Sequence, residues 1–288
     1  MRYLNRPDVD DAAILTQICG SGKLMGVSGL ATAKSNIESA YRDYLSKRGC
    51  PNSVSHLALT GRQKKRLLSL YENEVNGLQF FQAIRNIMSA GACAMCGKLG
   101  THSIDHFVEK GYRPQFAFYS PNLVPACSCN SRRTVCLVNG VPVSPLHPYF
   151  DKLGRRSLMR ASFSGLFYKP TIDVVPCRNL GKYRPRVEAH IEAVVKRNMV
   201  DGFLIKRWEA LISNPRAALL LKSTPLAEIT FSFLQSRLRD FESQEAGLSG
   251  SPNNWISIFY SGVASNQNAI RGIIRILAGQ EISTLRSL

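Results

Sequence analysis

Two close cysteine pairs constrain this chain more than any other feature: Cys93-Ala-Met-Cys96 and, further on, Cys127-Ser-Cys129. Thiolates so spaced converge on one tetrahedral ion with Zn–S bonds near ~2.3 Å, and two pairs supply all four ligands of a closed structural site. Between them lies Ser103-Ile-Asp105-His106-Phe107, and the second pair sits in Asn122-Leu-Val-Pro-Ala-Cys127-Ser-Cys129-Asn130. The expected unit is a small zinc-stapled fold that holds an Asp-His step inside the cysteine bracket.

Charge points the same way. The 288 residues carry a net charge of +17 with a sequence pI of about 9.8, a basic excess suited to meeting polyanions, nucleic acid first. A membrane surface is the rival, but no apolar run approaches the ~20 residues of a spanning helix, and no leader-like apolar stretch follows Met1. The chain is therefore expected in the cytoplasm, where eight cysteines read as metal ligands and buried thiols rather than disulfides. Cys19, Cys50, Cys136 and Cys177 stand alone and read as small buried hydrophobes.

Helical periodicity fills both flanks. Residues 33–48 place Ile37, Ala40, Tyr41, Tyr44 and Leu45 on one face and stop at Gly49-Cys50-Pro51. A second helix is expected behind Thr60, and a third through Leu78, Phe80, Phe81, Ile84, Ile87 and Met88. Gly20-Ser21-Gly22-Lys23 resembles a phosphate loop only in part: Gln17 replaces its first glycine and Leu24 its metal-binding hydroxyl. Beyond the cysteines, residues 163–175 read as partly extended and residues 185–212, 224–245 and 254–277 as helical, with a linker at 247–252. The chain divides into a helical region (1–87), a metal module (88–151) and a mainly helical region (152–288).

Asp105-His106, Asn122 and Asn130 within the cysteine bracket resemble the HNH endonuclease family in order and approximate spacing. Leu146-His147-Pro148-Tyr149-Phe150-Asp151 extends the likeness to a zinc-containing bacterial subgroup, much of it found in phage defence. The resemblance covers roughly a fifth of the chain. It implies a mainly α protein with a small α+β insert, a ββα-metal, treble-clef-like module stapled by Cys93, Cys96, Cys127 and Cys129. It further implies His106 as general base, Asp105 and Asn130 as ligands of a catalytic magnesium or manganese ion, and Asn122 as the residue that holds the His106 loop. DNA would be the substrate, in restriction or anti-phage defence, and some members work with a partner ATPase.

Phosphodiester hydrolysis asks for these residue types independently. Imidazole, with an ordinary pKa near ~6.5, can deprotonate water near neutrality, and a carboxylate with an amide oxygen suits a hard divalent ion. Arg132 and Arg133, at the start of the expected helix, are candidates for phosphate contact. His102 reads as an exposed loop histidine near the cysteines, and His147 as a packing residue.

One departure matters: a single residue separates Cys127 from Cys129, where the family has two. A residue lost inside a helix rotates everything after it by ~100°. Either the preceding turn absorbs the loss and Cys129-Asn130 keeps its place, or Asn130 drifts toward zinc, Ser131 faces the second metal, and Cys136 becomes a reserve ligand. Two other functions remain open: a zinc-dependent nucleic-acid-binding protein without catalysis, which has no use for Asp105-His106 beside Asn130, and an HNH nuclease acting on RNA.

Overall fold

The computed structural model describes residues 1–20, 29–72, 81, 84, 91–100, 103–285 and 287. About half of these are helical, and among them the strands form three separate two-stranded antiparallel sheets. None of the described helices is long and apolar enough to cross a membrane.

In the N-terminal region α1 (Asp11–Gly20) is an unexpected helix, whereas α2 (Lys34–Ser46) and α3 (Gly61–Glu72) are expected ones, α2 burying Ile37, Ala40, Tyr41 and Tyr44 but leaving Leu45 exposed. Thr60 starts α3 by a reciprocal cap: its N–H donates to Gln63 Oε1 (2.9 Å), while Gln63 N–H donates to Thr60 Oγ1 (3.3 Å). Of the third expected helix only Phe81 and Ile84, both helical and buried, are described. Residues 21–24 of the phosphate-loop resemblance and His102 lie outside the described residues.

The centre is a hairpin followed at once by a helix. β1 (Ser103–His106) pairs with β2 (Leu123–Ala126), placing Asp105 opposite Val124 and His106 opposite Leu123, and α4 (Cys129–Arg132) begins three residues after β2. A second hairpin joins β3 (Cys136–Val138) to β4 (Val141–Val143) through Asn139 and Gly140, whose φ values of 50° and 77° give the turn that matches strand twist.

The C-terminal region corrects several expected boundaries. The extended stretch is a full hairpin, β5 (Met159–Leu166) with β6 (Lys169–Pro176). The helix expected over 185–212 is two: α5 (Arg184–His190) widens into a π turn at Ile191–Val195, tightens at Lys196–Asn198 and breaks at left-handed Met199 (φ 58°) before α6 (Val200–Ser213). After the short α7 (Pro215–Ala218), α8 (Phe231–Ser249) starts later than expected, at the Thr230 cap, and runs into the supposed linker before ending at left-handed Gly250. The residues that follow are no loose tether either, since Ser251, Asn253 and Asn254 are buried. The last helix is also two, α9 (Trp255–Ser265) and α10 (Gln267–Leu277), because Asn266 caps the second.

A single apolar cluster draws on all three regions, from Leu4 and Leu15 through the four metal-site cysteines to Leu285. The first cysteine turn is its meeting point. Four successive carbonyls there accept hydrogen bonds from distant elements: Ala94 from Arg2 N–H (3.0 Å), Met95 from His190 Nε2–H (2.9 Å), Cys96 from Trp255 Nε1–H (2.9 Å) and Gly97 from Trp255 N–H (3.2 Å). Gly97 adopts φ 85°, and a Cβ there would lie 2.0 Å from the carbonyl oxygen of Asn253. Gly97→Ala should therefore destabilise the fold by about 1–3 kcal/mol, from overpacking against backbone that cannot yield. Chemical denaturation measures this, and an unchanged midpoint would contradict the close approach.

Candidate functional site

The four sulfurs of Cys93, Cys96, Cys127 and Cys129 lie within 4.8 Å of one another, with Cys93–Cys129 at 3.6 Å and Cys96–Cys127 at 3.5 Å. Four thiolates on one zinc at ~2.3 Å sit ~3.8 Å apart at tetrahedral angles, so the donor set fits such an ion. The first pair is presented by a turn closed by Cys93 N–H to Lys98 O and Gly97 N–H to Cys93 O, both 2.9 Å. The second pair straddles the exit of β2 and the first turn of α4.

Donors surround the sulfurs. Cys127 N–H points at Cys93 Sγ (3.3 Å), Lys98 N–H at Cys96 Sγ (3.5 Å), and the Asn198 amide donates to both Cys96 Sγ (3.4 Å) and Cys127 Sγ (3.3 Å). Hydrogen bonds from its three cysteine neighbours hold the Cys93 thiol well below its ordinary range, whereas burial pushes Cys96 up. Ionising all four together takes a bound cation. The helix break at residues 196–199 has a local consequence here, because it turns buried Asn198 toward the sulfurs.

The short spacing of Cys127 and Cys129 does not keep either sulfur out. Cys127 and Cys129 both reach the cluster, while Asn130 Nδ2 donates to the carbonyl of His106 at 2.9 Å. Cys136 is buried outside the cluster, and Ser131 is exposed with its hydroxyl on Ser128 O.

His106 is buried, 5% exposed. Its Nε2 lies 2.7 Å from Ala117 O, and since a carbonyl only accepts, Nε2 carries the ring proton and leaves a lone pair on Nδ1. Nδ1 is 4.0 Å from Asp105 Oδ1, which itself accepts His106 N–H at 2.7 Å. Tyr71 packs edge-on against the imidazole with ring centres 4.3 Å apart and donates its hydroxyl proton to Ile104 O. Burial lowers the His106 pKa to about 4, opposed by the Ala117 hydrogen bond, so the ring is neutral near pH 7.

Asn122 uses its whole amide to fix the loop that carries Ala117. Its Oδ1 accepts from Val108 N–H (2.7 Å) and Tyr44 O–H (3.0 Å), its Nδ2 donates to Val108 O (3.0 Å) and Phe116 O (3.1 Å), and its own carbonyl accepts Phe107 N–H (2.8 Å). Behind it, His147 Nδ1 accepts Tyr149 N–H (3.1 Å), so Nε2 is protonated and donates to Tyr44 Oη (3.2 Å). His147 is otherwise a packing residue, as expected, its ring 4.0 Å from that of Phe107. Gly49 makes room for this pair: a Cβ there would lie 2.8 Å from both the Tyr44 and His147 side chains.

Asp105 and Asn130 flank His106 with oxygens to spare. The Asp105 side chain is 33% exposed, and buried Asn130 Oδ1 has no hydrogen-bond partner among the described residues. A partly exposed carboxylate and an orphaned amide oxygen, on side chains that each bond the His106 backbone, are donor types that suit a hard cation. The two arginines part company: Arg132 is exposed, whereas Arg133 lies over the Phe107 ring and donates to Phe107 O.

Tyr44, Tyr71, Ala117 and Asn198 belong to this site without having stood out in sequence. Tyr44 had one signal, a place on the apolar face of α2; Asn198 had none, since its partners lie far away in the chain. Asn198→Ala should weaken metal binding by about 10–100-fold while leaving the four ligands in place. Competition with a chromogenic chelator reads this, and wild-type affinity would contradict the role.

Over 238 residues the chain is 25% identical to protein ea31 of Escherichia phage lambda, a match covering 77% of this chain and 79% of that protein. No family model and no solved structure matches.

Proposed function

We propose that the chain is a metal-dependent HNH-type endonuclease hydrolysing phosphodiester bonds in DNA. One observation carries the reading: a buried, neutral His106 with Nε2–H tied to Ala117 O and Nδ1 free, beside the Asp105 carboxylate and the unpartnered Asn130 oxygen. The β1–β2–α4 order supports it, as does the basic excess of +17.

In this reading His106 Nδ1 takes a proton from water as that water attacks phosphorus, and the nearby Asp105 carboxylate favours the imidazolium that forms. The low pKa makes His106 a modest base but keeps its lone pair available. Asn122 fixes the tautomer indirectly, by holding the loop whose Ala117 carbonyl takes the Nε2 proton. Asp105 and Asn130 Oδ1 would hold a magnesium or manganese ion, which supplies charge compensation for the phosphoryl oxygens and the leaving alkoxide. Exposed Arg132 is placed to meet the backbone, and Arg133 holds the residue after His106. The cysteine cluster keeps a structural zinc and takes no part in chemistry. A relative encoded by a phage lends no support to a defence setting or a partner ATPase.

The test incubates wild type and His106→Ala with supercoiled plasmid, single-stranded DNA and RNA, with magnesium, manganese or a mild chelator. Expected are metal-dependent cutting of DNA, a loss of about 10²–10⁴-fold in the variant, and zinc retained after mild chelation has stopped cleavage. Undiminished cutting by the variant would exclude His106 as the base. Binding without cutting on every polymer would favour the non-catalytic zinc protein.

A further inference from the structure

The C-terminal lobe carries a second feature suited to a polyanion. Two depressions of about 350 and 330 Å³ adjoin there, sharing Asn268 at the start of α10. Their floors are aromatic rings brought close to helices by glycine: Phe167 lies where a Gly272 Cβ would be, at 2.0 Å, and Gly262 lets α9 approach Ala161 O within 2.4 Å of its absent Cβ. Phe163 lines the second depression beside Gly262. The two glycines seat their helices tightly on this packed layer, and the two depressions meet at Asn268 to make one shallow groove region.

Its charge is one-sided. Arg271 and Arg275 line one part and Arg160 the other, and among the described residues no carboxylate lines either. Arg271 and Arg275 are exposed one helical turn apart, ~6 Å along the axis. Among the described residues neither guanidinium has an ion-pair or hydrogen-bond partner, and Arg160 donates only to a backbone carbonyl, Ala161 O at 3.4 Å. An ordinary solvated helix face carries acids one turn from its arginines, yet none occurs between Glu245 and Glu281. On the adjoining β5–β6 hairpin the one acid, Asp173, is paired with Lys196 at 2.8 Å. Unpaired guanidinium forks bind phosphate oxygens two at a time, and the amide and hydroxyl groups around them suit sugar and phosphate.

We propose that this groove is a second, sequence-independent contact for the phosphodiester backbone of the polymer whose cleavage is assigned to His106. The inference rests on the nuclease reading for its polymer, but binding is measured without cleavage. No lining residue is shared with the His106 site, so the groove extends the footprint and leaves the reacting bond untouched.

The test measures fluorescence anisotropy of full-length wild type and Arg271→Glu/Arg275→Glu on labelled duplex DNA, single-stranded DNA and RNA. Titrations run from 50 to 200 mM salt without magnesium. Each phosphate contact adds ~0.9 to the salt slope on duplex DNA and ~0.7 on single strands. The double variant should therefore bind about tenfold or more weaker at low salt, with the slope reduced by about 2 on duplex, at unchanged melting temperature and zinc content. The arm showing the larger loss names the preferred polymer. Unchanged affinity and slope on all three overturn the proposal. So would an arginine-dependent loss seen only on anionic phosphatidylserine vesicles, which would make the groove a membrane contact. Arginine-dependent binding in a protein that cuts nothing would leave the groove standing and sink the nuclease.

Discussion

Everything in this molecule hangs on the convergence of four sulfurs from two chain segments. The geometry is demanding because thiols crowd poorly: burial pushes Cys96 up while its neighbours hold Cys93 down, a conflict that a divalent cation resolves. Once formed, the cluster fixes the turn 93–97, whose successive carbonyls dock the first residues of the chain, α5 and α9. The same cluster fixes the end of β2 and the start of α4, and so the position of Asn130 against His106. A cation in this place would close the loop between Cys93 and Cys129, and the turn it fixes is what the distant elements dock on.

The second layer of organisation is a polar network with few loose ends. His147 donates to Tyr44, Tyr44 to Asn122, Asn122 to Val108 and Phe116, and the loop so held presents Ala117 O to His106. Each step is directional, because a backbone N–H at one end and backbone carbonyls at the other allow one proton arrangement. Buried networks of this kind select a single geometry. The exception is informative: Asn130 Oδ1 is buried without a partner among the described residues, on the side chain that bonds the His106 carbonyl.

Local chemistry was legible in the sequence and long-range partnership was not. Cysteine spacing foretold the four-sulfur cluster because ligand geometry is set within a few residues. For Asn122 only the family resemblance suggested a loop-holding role; alone it read as a turn residue, and its bonds to Val108 and Phe116 become visible in the fold. Helical periodicity found the amphipathic stretches but missed their interruptions at Met199 and Asn266, where a left-handed residue and an asparagine cap break runs of unbroken pattern. The 247–252 stretch misled because breaker residues also occur in buried polar turns, where Ser251 and Asn253 find partners in Met1, Leu158 and Arg156. Asn198 gave no warning and Tyr44 only its place on an apolar helix face, because their importance lies in what they meet across the fold. The single residue between Cys127 and Cys129 left two outcomes open in sequence; in the structure both sulfurs reach the cluster, Asn130 bonds the His106 carbonyl, and Cys136 and Ser131 stay outside.

The central claim, that one thiophilic ion held by four cysteines organises the site, is tested most directly by zinc-edge X-ray absorption on the purified protein. The account predicts one zinc per chain with four sulfur neighbours at ~2.3 Å. A shell containing nitrogen or oxygen, or a folded protein free of metal, would contradict it.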